Sequence, residues 1–152
     1  MINIKVLSKV AVEGQDFGRN AFVISIVSPG NEHPKFTSEF LLRCQFNDVR
    51  EDLMIDSGIT SAMNKGMAEH IVDVAMEHRD VETWIIHCEA GISRSPAVAI
   101  GLARYLKCTP TAKELERMFP CYNKHVESLV STAARKEICE IAKNLRVQFN
   151  FD

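Results

Sequence analysis

The chain has 152 residues, 46% of them hydrophobic and 25% charged, the proportions of a soluble globular domain able to bury one core. A formal net charge of −2 argues against a nucleic-acid surface built on bulk positive charge, but leaves room for a small local anion site. No stretch approaches a membrane-spanning length, and Lys5 and Lys9 interrupt the amino-terminal MINIKVLSKV where a signal peptide would be continuously apolar. The expectation is a single domain over residues 1–152, cytoplasmic, with no membrane or nucleic-acid partner.

In chain order, residues 2–12 and 21–27 (AFVISIV) are predicted strands, the second closed by the turn signal Ser28-Pro29-Gly30. Residues 31–38 read as a surface loop, and 39–46 (EFLLRCQF) as a third strand. Residues 60–78 are a predicted helix, with Met63, Met67, Ile71, Val74 and Ala75 at helical spacing. A fourth strand, 83–87 (TWIIH), is short and apolar, as befits a strand covered on both faces. A helix over 95–107 follows, with Pro96 in its first turn, where a missing N–H costs nothing. Thr111 and Glu114 suggest a capping box opening a helix over 111–118. The last helix spans about 124–145, on the repeat Val126, Leu129/Val130, Ala133/Ala134, Ile138, Ile141 and Leu145. Strands alternating with helices imply an α/β fold, with a central mostly parallel sheet of about four or five strands flanked by helices.

In such folds sites form where loops leave the carboxyl ends of strands. The stretch HCEAGISRSP, residues 87–96, lies at such a place, between a strand and a helix. A loop wrapping into a helix N-terminus aims several backbone N–H groups, and the positive end of the helix dipole, at one spot. Gly91 permits the tight turn, and the planar fork of Arg94 suits two oxygens of a phosphate. A cysteine at the base of such a cradle is favoured as the thiolate, the form in which Cys88 would attack phosphorus. Ser95 is placed to donate a hydrogen bond to that sulfur, or simply to cap the helix.

These residues match the pattern HCxxGxxR[ST], and the chain resembles the cysteine-dependent protein tyrosine and dual-specificity phosphatases, in their compact single-domain form. The resemblance covers residues 87–96 as a motif and roughly 20–145 as an order of elements. It implies a phosphocysteine intermediate on Cys88, phosphate held by Arg94 and by Glu89, Ala90, Gly91, Ile92 and Ser93, and His87 tuning the loop through hydrogen bonds. No metal or other cofactor is implied, and the partner is a phosphorylated protein or peptide.

The family also needs an acid for the leaving oxygen, from an upstream loop. Candidates in FNDVREDLMIDSG are Asp48, Asp52 and Asp56. Asp48 directly follows the third strand and is the preferred choice, since it should share a sheet edge with Cys88. The spacing of Asp56 fits the family's commoner arrangement, and the family's tryptophan-proline-aspartate form of this loop is absent.

A phosphoinositide or the 5′ end of RNA is an alternative substrate, but relatives of those types place basic residues inside the loop, which here holds Glu89, Ala90, Ile92 and Ser93. A phosphate-binding pseudophosphatase is a non-enzymatic alternative, although none of the usual losses has occurred. The five cysteines include no CxxC pair, so neither a disulfide framework nor a zinc site is indicated. Cys44, on the strand leading to Asp48, is read as packed rather than as a redox partner of Cys88. His33, His70, His78 and His125 form no ligand cluster in the sequence.

Overall fold

The apolar run TWIIHC becomes the middle strand of a five-stranded sheet. The structure is a computed structural model that describes residues 1–50 and 61–149. Strands β1 (Ile2–Ser8), β2 (Asp16–Val27), β3 (Thr37–Gln45), β4 (Thr83–Cys88) and β5 (Cys108–Thr109) lie in the order β3-β2-β4-β1-β5. The helices are α1 (Lys9–Val12), α2 (Lys65–Glu77), α3 (Arg94–Ala103), α4 (Ala112–Met118) and α5 (Lys124–Phe149). The expected α/β class is observed, and every strand pairing is parallel. No helix among the described residues is long and apolar enough to cross a membrane.

The two faces of the sheet are unequal. Strand alternation sends Phe22, Ile24, Ile26, Trp84 and Ile86 to one face, where they pack with α2 to α5 in the main core. The intervening Ala21, Val23 and Ile85 join a small second cluster with Val12 of α1 and with Phe36. Phe36 belongs to the connection of residues 28–36, which links the parallel neighbours β2 and β3 without a helix, although such crossovers are usually helical. An edge-on contact between Phe36 and Phe17, ring centroids 5.7 Å apart, seats this crossover on the sheet.

Several boundaries differ from expectation. The strand expected over 2–12 ends at Ser8, whose Oγ accepts the Ala11 N–H at 3.2 Å and caps the single turn of α1. β2 starts earlier than residue 21, at Asp16, through a segment of irregular register against β3. The helix expected from residue 60 starts at Lys65, after Asn64, whose side chain caps the Met67 N–H. The helix expected to reach residue 107 ends at Ala103. The capping box of Thr111 and Glu114 is present, one residue before α4 begins.

Candidate active site

β4 ends at Cys88, and the chain turns through residues 89–93 into α3. Cys88 is buried, with 2% of its surface exposed. Its Sγ accepts the Gly91 N–H at 3.2 Å and lies 3.1 Å from Ser95 Oγ. Ser95 stands inside α3 and faces the sulfur, so the helix-cap alternative is corrected. Ser93 occupies the cap position, without a side-chain cap bond.

Gly91 is required here twice over. Its φ of +74° lies in the left-handed region, and a Cβ on it would meet the backbone of Leu7 and Ser8 at 2.9 Å. The loop is thus pressed against the end of β1, and the Lys9 N–H donates to the Glu89 carbonyl at 3.1 Å across the same seam.

The guanidinium of Arg94 is 5% exposed as a residue and fixed at one end. Its Nη1 donates to Ser28 Oγ at 3.0 Å and to the Phe46 carbonyl at 2.8 Å. Those bonds leave the edge formed by Nε and Nη2 for a ligand, the edge that grips two oxygens at once. Nη2 stands 3.7 Å from Glu89. The Glu89 carboxylate also accepts from the Ser28 N–H at 3.0 Å and Asn31 Nδ2 at 2.9 Å. These two donors, then Arg94, hold the Glu89 carboxyl down at about 2. The crossover thereby engages the Glu89 side chain, and any contact of Glu89 with an anion falls to its main chain.

A cavity of 360 Å³ opens above Cys88, lined by Glu89, Ala90, Ile92, Ser93 and Arg94 of the loop and by Asp48, Arg50 and Cys121. The N–H groups in the first turn of α3 have no intrahelical acceptors, so they and Arg94 make this floor electropositive. Asp48 is at the cavity's rim, as expected from its place just after β3. Its Oδ1 accepts from Ser93 Oγ at 2.8 Å and from Asn123 Nδ2 at 2.8 Å, so Oδ2 carries neither donor. Asp52 and Asp56, the other candidate acids, lie outside the described residues.

Asn123 is the residue that sequence reasoning missed. It is fully buried, its Oδ1 accepts the Val126 N–H at 3.1 Å to cap α5, and its own N–H donates to the Ser93 carbonyl at 3.1 Å. One residue, through its side chain and its main-chain N–H, therefore ties α5, the loop and Asp48 together. An asparagine directly before a helical repeat was the available signal.

His87 is also fully buried. Its Nδ1 is 3.1 Å from the Cys88 carbonyl oxygen and its Nε2 is 2.5 Å from Ser25 Oγ. Burial pushes its pKa below the ordinary imidazole value.

Cys44 pairs with Ile26 of β2, two strands from β4. Two strand spacings amount to about 10 Å between Cα atoms, beyond the ~7 Å a disulfide spans. Burial pushes the Cys44 thiol up to about 12, so it packs and does not ionise readily. Among the described residues no group of three or more His, Cys, Asp or Glu side chains is arranged to hold a metal ion.

No family model and no curated protein matches this chain. Its functional reading rests on the chemistry of the site.

Proposed function

We propose that the chain is a cysteine-dependent phosphatase that hydrolyses phosphotyrosine in proteins or peptides, with phosphoserine and phosphothreonine open to the same chemistry. The observation that carries this reading is Cys88 Sγ, hydrogen-bonded with the Gly91 N–H and Ser95 Oγ, in a cavity that Arg94 and Asp48 also line. In the first step the Cys88 thiolate forms an S–P bond while the P–O bond to the leaving oxygen breaks. Asp48 donates the proton that the leaving oxygen needs. In the second step the Asp48 carboxylate takes a proton from water as the water oxygen bonds to phosphorus. The S–P bond then breaks, inorganic phosphate leaves, and the thiolate is restored with the hydrogen bond of Ser95 supporting it.

The mechanism needs a reduced Cys88, which suits a reducing compartment such as the cytoplasm. A loop with Glu89 and no lysine, in a chain of net charge −2, favours a phosphoprotein over a polyanionic lipid or RNA.

The test is turnover of an aryl phosphate and of paired phosphotyrosine and phosphothreonine peptides without added metal. Wild type is expected to be active and vanadate-sensitive, and Cys88→Ser inactive. Asp48→Asn should fall on the order of a hundredfold, the scale of general acid catalysis. Persistent hydrolysis by well-folded Cys88→Ser would end the thiolate reading. A large loss in Asp56→Asn with Asp48→Asn near normal would move the acid role to Asp56.

A further inference from the structure

Behind the sheet, on the face away from the long helices, lies a row of three polar side chains that the phosphoryl chemistry leaves unused. Ser25 of β2 is fully buried, between Nε2 of His87 at 2.5 Å and Nδ1 of His33 at 2.8 Å. His33 comes from the crossover and is half-buried at the edge of a 480 Å³ cleft whose walls include Asp16, Lys35 and Arg43. Phe36, from the same crossover, sets its ring edge-on to His87 with centroids 6.2 Å apart.

The directions of these hydrogen bonds follow from counting protons. A carbonyl only accepts, so the bond to the Cys88 carbonyl requires a hydrogen on Nδ1 of His87. Burial keeps His87 neutral, so that is its only ring N–H and Nε2 is an acceptor. The hydrogen between Nε2 and Ser25 is then the serine's. Ser25 must accept from its other neighbour, so His33 donates through Nδ1–H. The chain runs one way: His33 to Ser25, Ser25 to His87, His87 to the main chain of Cys88.

We propose that His33 is a positioning residue for the Cys88 loop, acting through Ser25 and His87. The proposal rests on Cys88 as the nucleophile of the reading above, but its tests need no turnover. With the His33 donor in place the serine hydroxyl is committed to His87, and each bond polarises the next. The imidazole of His87 is thereby held in one tautomer and one orientation, with its Nδ1–H on the carbonyl of the residue that carries the sulfur. The main chain of Cys88 is fixed, and the Gly91 N–H and Ser95 Oγ stay aligned on Sγ. Without the donor the Ser25 hydroxyl rotates freely, the ring loosens and the thiolate loses alignment with its donors. The charges acting on these rings are Arg43 of β3 and Lys9 of α1 on His33, and His33 itself, Lys9 and Arg94 on His87, all repelling a proton from the imidazoles. His33 donates through Nδ1 in both its neutral and its cationic form, so the direction of the chain survives protonation at that end.

Two measurements on the full chain test this. Long-range nitrogen–proton correlation spectra of wild type should show His87 and His33 both protonated at Nδ1, with Nε2 of His87 bare. A His87 protonated at Nε2 instead would overturn the proposal, and this reading needs no variant. The second measurement is iodoacetamide alkylation at Cys88, followed by peptide mass mapping near neutral pH, with exposed Cys139 as internal standard. His33→Leu should slow Cys88 alkylation about threefold relative to the standard, the scale of one hydrogen bond. His33→Asn, which keeps an N–H donor, should restore the rate. Ser25→Ala combined with His33→Leu should be no slower than Ser25→Ala alone, because both cut one chain. Additive losses, or an unchanged rate in His33→Leu, would overturn the proposal. If phosphatase turnover is absent while these results hold, the activity reading fails and the positioning role of His33 stands.

Discussion

At Asn123 one side chain carries two tasks that substitution separates: Oδ1 caps α5, while Nδ2 holds Asp48 and the Val49 carbonyl. Asn123→Ser keeps an oxygen for the cap but removes the donor to Asp48, so it should lower kcat with a small change in Tm. Asn123→Ala removes both and should cost about 2 kcal/mol of stability as well. Thermal melts read beside aryl phosphate kinetics distinguish the two; full kcat in Asn123→Ser would show that Asp48 does not depend on this bond. Cys88, Gly91, Arg94 and Ser95 were legible in sequence because one short loop must bring them together. The bond from Asn123 to Asp48 spans 75 positions, and no local pattern encodes it. Ser25 did leave a trace: a lone hydroxyl within the apolar run AFVISIV demands a buried partner.

Between elements, α3 and α5 approach closely at Gly101. A Cβ at Gly101 would come within 2.8 Å of Val130 Cβ and 3.1 Å of the Ser131 backbone nitrogen. Alanine at a helix interior gains about 1 kcal/mol over glycine, but overpacking here costs ~1–3 kcal/mol and wins, because Val130 is branched at the clashing atom. Gly101→Ala should therefore lower Tm. A rise in Tm for Gly101→Ala would show that α5 shifts freely. The long helices and β4 were readable from periodicity, since burial on one face imposes it. α1 was not: Val10 and Val12 continue the alternation of β1, and only the cap at Ser8 diverts the chain. β2 likewise extends into DFGRN, where polar residues and register shifts hide a strand from any apolar pattern.

For the molecule as a whole, acid should be destabilising in two stages. His33 and His87 both have pKa values below 6.5, so the unfolded chain binds protons that the folded one refuses. Stability then falls as pH drops through the imidazole range. Glu89, held at about 2 against an ordinary 4.5, adds stability that is present above 4.5 and lost between those values. Thermal melts should show Tm declining as pH goes from about 7 to about 5, and again in stronger acid. A flat curve over the first interval would mean that the two imidazoles are not held neutral. The parallel α/β order of the domain was legible from alternating elements; the inequality of its faces was not, because a crossover without a helix looks like a surface loop. That inequality bears on Arg94, whose one guanidinium both floors the cavity and fastens the crossover through Ser28. Two sites that share a group are thermodynamically linked, and the linkage is reciprocal. Whatever an anion does to the grip on residue 28 is matched by what a pull on residues 28–36 does to anion affinity. The thin side of the sheet is thus a lever on the cavity, reachable without entering its mouth.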